Sequence, residues 1–156
     1  MSKYSFVAEP GTLSIEISRM FDAPRDLIFK AMTDPNLIPQ WWGPYSVTTV
    51  VDKLELRRGG IWRFLQSDEN GEYAFSGVFH TISPERMVFT FEFETMPEHV
   101  LLDTIILEEV DGKTRVTDLS VFQTVAARDG MLNSGMEQGS AEGWDRLDAL
   151  LVGMKA

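Results

Sequence analysis

Alternation is the first pattern along the chain. Leu13, Ile15 and Ile17 are separated by Ser14, Glu16 and Ser18, the period of two that turns one strand face to a core and the other to water. A first strand is therefore expected from about residue 12. Asp22 stands two residues before Pro24, and a capping side chain followed by proline in the first turn predicts a helix start. Leu27, Ile28, Ala31 and Met32 supply its apolar stripe, and Asp34-Pro35 ends it, because proline pushes the preceding residue out of the helical region. A second short helix or turn holds Leu37, Ile38, Trp41 and Trp42, and Gly43-Pro44 closes it.

The chain then reads as strands joined by turn residues, over 47–56, 61–66, 73–82, 87–95, 100–110 and 113–124. Gly59-Gly60, Asn70-Gly71, Ser83-Pro84-Glu85 and Asp111-Gly112 punctuate them, the Asn-Gly and Asp-Gly pairs tolerating the positive φ angles of tight hairpins. With the first strand this makes seven strands, six of them consecutive, and consecutive strands with short turns form an antiparallel meander. Met136, Ser140, Gly143, Trp144, Leu147, Leu150, Leu151 and Met154 then recur at three- and four-residue spacing, which predicts a final helix over about 135–154. The expectation is one α+β domain over residues 1–156.

A curved sheet needs a cover on one face, and only the last helix is long enough to provide it. Gly135, Gly139 and Gly143 lie four apart on that helix, and each glycine inside a helix costs about 1 kcal/mol relative to alanine. Either the bare stripe leaves room for a cavity, or it lets the helix backbone approach a strand closely, with Gly135 lying ahead of the helix. Ten Phe, four Trp and three Tyr are a heavy aromatic load for a sheet capped by one helix. Any one of Phe89, Phe91 and Phe93 is ordinary sheet core. One helix cannot fill a concave sheet completely, however, and residual space lined by such rings and by Met87, Met136 and Met154 has the character of a small-molecule pocket.

Composition narrows the partners. The 156 residues carry 14 Lys+Arg against 24 Asp+Glu, a formal charge of −10, with no cysteine. Disulfides, thiolate metal sites and cysteine nucleophiles are excluded, and the chain lacks the basic footprint of a nucleic-acid binder. Anionic membrane surfaces are disfavoured by the same sign of charge. Met1-Ser2-Lys3-Tyr4 leads into a polar stretch without a signal-peptide core, and the longest aliphatic run, Ala149 to Val152, is far short of a membrane span. A cytoplasmic protein is the expectation.

Order and spacing of motifs carry a resemblance. Residues 13–24 (LSIEISRMFDAP) are followed by Phe29, Ala31, Thr33-Asp34-Pro35, Trp41-Trp42-Gly43-Pro44 and Arg57-Arg58-Gly59-Gly60. Gly77-Val78-Phe79, Ser83-Pro84-Glu85-Arg86 and Gly143-Trp144 with Leu147 and Leu150 complete the series. The chain resembles the START-like (SRPBCC) helix-grip superfamily. Within it, the chain is similar to the family of the C-terminal domain of the activator of the 90-kDa heat-shock protein ATPase. The resemblance implies a helix-grip (START/Bet v 1-like) fold: strand, two short helices, six strands, and a long C-terminal helix gripped by the seven-stranded sheet. It also implies a hydrophobic cavity between helix and sheet. Members of the superfamily bind lipids, sterols, polyketides or plant hormones, and some are enzymes. The co-chaperone has an additional N-terminal domain, for which a first strand near residue 12 leaves no room, so a chaperone partner is not the leading expectation.

The expected function is binding of a small hydrophobic ligand, with Trp41, Trp42, Phe64, Phe79, Phe89, Phe91, Met136, Gly143, Trp144 and Leu147 as candidate lining residues. Of the two neighbouring tryptophans, one is expected to plug the core and the other to close the pocket mouth, with Gly43-Pro44 as its hinge. Arg19 shares parity with Leu13, Ile15 and Ile17 and so should face the covered side. It either anchors an acidic ligand group or pairs with an acid of a neighbouring strand or the long helix, Asp103 and Asp118 being candidates. His80 is either a pocket base or a structural or exposed histidine, and His99 lies in a solvated loop. The run Glu92, Glu94, Glu98, Asp103, Glu108, Glu109 and Asp111 reads as a solvated outer face. No nucleophile elbow, His-Glu-x-x-His or phosphate loop is present, so no catalytic residue, metal or cofactor is expected. Two alternatives stay open: an enzyme of the polyketide cyclase/dehydratase-like kind using His80, Tyr73 or an Arg19–carboxylate pair, and a chaperone-interacting module. Nothing in the sequence marks an interface, although a homodimer remains open.

Overall fold

The computed structural model describes residues 4–155; Met1–Lys3, where the leader reading falls, and Ala156 lie outside the described residues. The strands are β1 (Ser5–Val7), β2 (Ser14–Phe21), β3 (Thr48–Leu54), β4 (Ile61–Asp68), β5 (Gly71–Ile82), β6 (Arg86–Phe93), β7 (Leu101–Val110) and β8 (Lys113–Val121). They form one curved antiparallel sheet in the order β1-β2-β8-β7-β6-β5-β4-β3. Helix α1 (Arg25–Thr33) and a single 3-10 turn (Ile38–Gln40) carry the chain from β2 to the far edge at β3. Helices α2 (Val125–Leu132) and α3 (Met136–Lys155) close it. This is the helix-grip arrangement, with eight strands where seven were expected.

The eighth strand is β1. Its three residues pair with β2, Phe6 opposite Ile17, and Tyr4, Phe6 and Ala8 pack on the core. The alternation is there in sequence but spans too few residues to stand apart from a loop. Helix α2 was also not expected. Thr124, read as the end of the last strand, instead caps it by accepting a 3.0 Å hydrogen bond from the Ala127 amide. Asp22 does not cap α1: Pro24 occupies the cap position itself, extended at ψ 155°, so the helix starts one residue later and out of reach. The Asp22 carbonyl instead accepts a 2.7 Å hydrogen bond from Lys155 Nζ at the end of α3. The β7–β8 hairpin has the expected turn, with Asp111 and Gly112 at φ 53° and 79°.

Two apolar clusters divide the concave side. The first joins β2, β7 and β8 to α1 and α3 through residues such as Ile15, Phe21, Ile28, Leu107, Val116, Leu147 and Leu151. The second, around Ile38, Trp62, Phe64 and Phe79, belongs to β4, β5 and the 3-10 turn. Gly77 is required there. A Cβ at 77 would fall on the Thr90 carbonyl oxygen and close to the Trp62 indole nitrogen, which itself donates to that carbonyl at 3.2 Å. The space between the two clusters is not filled.

Candidate functional site

A cavity of about 300 Å³, partly open to solvent, lies between the sheet and α3. That is the lower end of the range in which small-molecule pockets fall. Nine of the ten apolar candidates border it: Trp41, Trp42, Phe64, Phe79, Phe89, Phe91, Met136, Gly143 and Trp144. Leu147 does not; it is fully buried in the first cluster, one helical turn below the cavity floor. Trp62, Ile105 and Met131 also line it.

The two adjacent tryptophans divide their roles. Trp41 is buried and donates from Nε1 to the Ala31 carbonyl at 2.9 Å, fixing the segment after the 3-10 turn beneath α1. Trp42 stands edge-on to Phe64 and Phe75, with ring centroids 5.0 and 5.4 Å away, and forms a cavity wall. Gly43 follows at φ 104°, a left-handed conformation that glycine adopts without a Cβ penalty. The segment is fastened rather than hinged. Arg146 of α3 donates to the Gly43 and Pro44 carbonyls at 3.0 and 3.1 Å, and Glu142 accepts the Tyr45 amide at 3.1 Å. A surface depression lined by Pro44, Tyr45, Ser46, Gly135, Gln138, Gly139 and Glu142 shares Pro44 and Gly139 with the cavity, which makes it the entrance.

The three glycines have three different reasons. Gly135 lies before α3 at φ 89°. A Cβ at Gly143 would meet the Trp41 and Gly43 backbones at 3.4–3.5 Å, so its bareness serves close packing. Gly139 has no atom within 4 Å of where its Cβ would be, and the space beside it is the cavity.

The acidic side chains of the cavity are the two that the sequence offered as partners for Arg19, one of which, Asp103, it also counted in a solvated outer face. Asp103 and Asp118 both line the cavity, with Ser120. Asp103 is only 7% exposed, not part of a solvated outer face, and Ser120 Oγ donates to its Oδ1 at 3.4 Å. Parity could have found both. Asp103 alternates with Leu101, Ile105 and Leu107, and Asp118 with Val116, Ser120 and Phe122, so each takes the inward direction. Burial raises both carboxyls above the ordinary value of 3.8, Asp103 well above it because the Asp118 charge adds to the desolvation. Asp118 Oδ1 is buried with no hydrogen-bond partner among the described residues. Nearby, burial and the charges of Glu137, Asp118 and Asp145 push the Tyr4 phenol up to about 12.

The model of the family described as Activator of Hsp90 ATPase homolog 1-like protein matches residues 22–152. The chain belongs to this family. The matched span takes in Trp41, Trp42, Asp103, Asp118 and Gly139, and the family lies in the SRPBCC superfamily read from the motifs. Among solved structures, this member of the activator-homolog-1-like family is similar to protein Ms6760 from Mycobacterium smegmatis, at 26% identity over 96% of this chain and 97% of that one, with a TM-score of 0.85. A protein from Arthrobacter aurescens is 27% identical over 95% and 91% of the two chains, at TM-score 0.87. One from Rhodobacter sphaeroides, 24% identical over 97% and 99%, shares the fold at TM-score 0.88. No curated protein matches the chain.

Neither candidate polar anchor of this family member reaches the cavity. Arg19 is buried but pairs with α3, its guanidinium 2.9 Å from Asp145 and 3.3 Å from Asp148. The long-helix pairing is the one formed, and the proposed pairing with Asp103 or Asp118 is not. His80 is exposed. The register shifts between Phe79 and Thr81, so His80 is the extra residue of a bulge, and bulges re-aim side chains. Its Nδ1 meets Thr81 Oγ1 at 2.8 Å. Tyr73 packs beside Phe93 with its hydroxyl 3.4 Å from Asp68. The acid–base set of the enzyme alternative is therefore outside the cavity. Among the described residues, no cluster of His, Asp and Glu side chains suits a metal ion, and no helix is long and apolar enough to cross a membrane.

Proposed function

We propose that this protein binds a small, largely apolar molecule, of one or two rings, in the cavity between the sheet and α3. The observation that carries the reading is the unfilled space of about 300 Å³ walled by Trp42, Trp62, Phe64, Phe89 and Phe91. Rings held rigidly in a sheet present large apolar area at little entropic cost, and burial of ligand surface against them supplies the affinity. The fastened 43–46 segment and the bare Gly139 support access from one side. The acidic, cysteine-free composition suits the cytoplasm as its compartment.

The test is a titration of ¹⁵N-labelled protein with 2-naphthol and 2-methoxynaphthalene, read at the tryptophan indole resonances. Saturable shifts at Trp42 and Trp62 are expected, and the Gly139→Phe variant should abolish them. Absence of saturable shifts with either compound overturns the reading. Native mass spectrometry of freshly purified protein is the companion measurement, expected to show a retained small molecule.

A further inference from the structure

We infer that the Asp103–Asp118 pair is the polar recognition site of the cavity, and that it selects ligands carrying a hydrogen-bond donor, a hydroxyl or an amine, over neutral acceptors and carboxylates. The inference rests on the binding reading above and adds the chemistry of the headgroup.

Three observations carry it. Asp103 and Asp118 are the acidic side chains of the cavity wall, and among the described residues no Arg, Lys or His shares that wall. An anionic ligand would therefore find no counter-charge and two carboxyls. Second, the pair is held by neighbouring strands rather than loops: Asp103 stands opposite Ser120, and Asp118 opposite Ile105. Third, the set is short of donors. Ser120 supplies one weak hydrogen bond at 3.4 Å to Asp103, and Asp118 Oδ1 is removed from solvent with no hydrogen-bond partner among the described residues. An orphaned buried acceptor costs free energy until something donates to it. Among the described residues no donor reaches Asp118 Oδ1; the cavity beside the side chain has the room for one, and rotation about χ2, which is soft in aspartate, would turn the oxygen towards it.

A purely structural role is a poor account of the pair. Paired buried carboxyls are replaced at little cost by apolar residues of similar volume when they serve packing alone, and the flanking inward positions Leu101, Ile105 and Val116 are apolar. A ligand hydroxyl or ammonium would complete the set by donating to Asp118 Oδ1.

The experiment compares four probes of one ring system at pH 7, each titrated into the full chain by the indole NMR readout: 2-naphthol, 1-naphthylmethylamine, 2-methoxynaphthalene and 2-naphthoate. The two donors should bind about tenfold more tightly than the methyl ether, the worth of one hydrogen bond to a carboxylate, and 2-naphthoate should not bind. In Asp118→Leu, which keeps the volume, the donor advantage should vanish while 2-methoxynaphthalene binds at least as well as before. That retained binding also shows the variant is folded. Equal affinity of 2-naphthol and 2-methoxynaphthalene, or a donor preference that survives Asp118→Leu, overturns the inference and leaves the apolar binding reading standing. Failure of all four probes overturns both.

Discussion

Asp103 and Asp118 stand diagonally across β7 and β8, two register positions apart, on the concave face of a largely apolar wall. Each sits at a position where strand alternation demands a core residue. Diagonal neighbours on one sheet face lie within reach of each other, so the two carboxyls cannot avoid interacting. In a site this dry the charged form of each is disfavoured.

That arrangement has a pH signature. Both carboxyls have folded values raised above 3.8, so between 3.8 and the raised values the native state binds more protons than the unfolded chain. The stabilisation is full below 3.8 and is lost as pH rises through the raised values. The groups facing the pair are Ser120, which does not titrate in this range, and Tyr4, which is held neutral to about 12. Urea unfolding should find Asp103→Asn more stable than the parent at pH 7.5, by of order 1 kcal/mol, with the gap closing towards pH 4. A gap of constant size across that range would show that the pair does not titrate on unfolding. Glu94 and Glu142, both lowered by hydrogen-bond partners, act in the opposite sense in both proteins and cancel in the difference.

Gly139 separates stability from binding. Its Cβ position opens onto free space and it lies within the 20 residues of α3. Gly139→Ala should stabilise the protein by about 1 kcal/mol, raising Tm by about 2–4 °C for a domain of this size. Gly139→Phe should keep the fold and eliminate binding of 2-naphthol, because the ring occupies the cavity mouth. Thermal scans and titrations of the two variants check both halves.

Arg19 is nearly sealed, at 4% exposed, while its partners Asp145 and Asp148 are 61% and 43% exposed. The cation is thus the group that depends on the pair. Removing both partners strands a buried charge, and Asp145→Asn/Asp148→Asn should cost about 3 kcal/mol. Arg19→Met, which leaves two solvated carboxylates and keeps most of the apolar stem over Phe21, should cost about 1 kcal/mol. Chemical denaturation that ranks the two in the reverse order would contradict the assignment of Arg19 to a structural clamp between β2 and α3.

The same residue shows how far sequence carries. Alternation put Arg19 inward and the helical repeat put Asp145 and Asp148 on the polar side of the last helix, but neither rule reports which acid an inward arginine meets. Asp103 and Asp118 were legible by that alternation, but both were offered as partners for Arg19, and Asp103 was also counted in the run of acids from Glu92 to Asp111 that reads as a solvated face. The meander, the last helix and the aromatic walls follow from periodicities of two and 3.6 sustained over many residues. What escaped is short or local: β1 with three residues, and α2 begun by Thr124 inside an apparent strand. Leu147 was placed by helical phase on the right face, yet a face does not distinguish the floor of a cavity from the core beneath it.

The entrance offers a kinetic prediction. Arg146 makes two hydrogen bonds, of 3.0 and 3.1 Å, to the Gly43 and Pro44 carbonyls, and its guanidinium lies 5.8 Å from the Tyr45 ring centroid. These contacts hold the 43–46 segment against α3 beside the depression that shares Pro44 and Gly139 with the cavity. Arg146 does not itself line the cavity but holds two residues that do, Gly43 and Pro44, so its loss leaves the aromatic walls in place and loosens the fastening at the mouth. Arg146→Ala should therefore speed association and dissociation of 2-naphthol together, each about tenfold, the effect of removing roughly 1.4 kcal/mol of restraint from the opening step, with Kd changed by less than about twofold. Hydrogen exchange at the backbone amides of Tyr45, Ser46 and Val47 should rise in parallel. Relaxation-dispersion NMR on the tryptophan indoles measures both rates, and a change confined to Kd would place Arg146 in the binding surface instead of at its door.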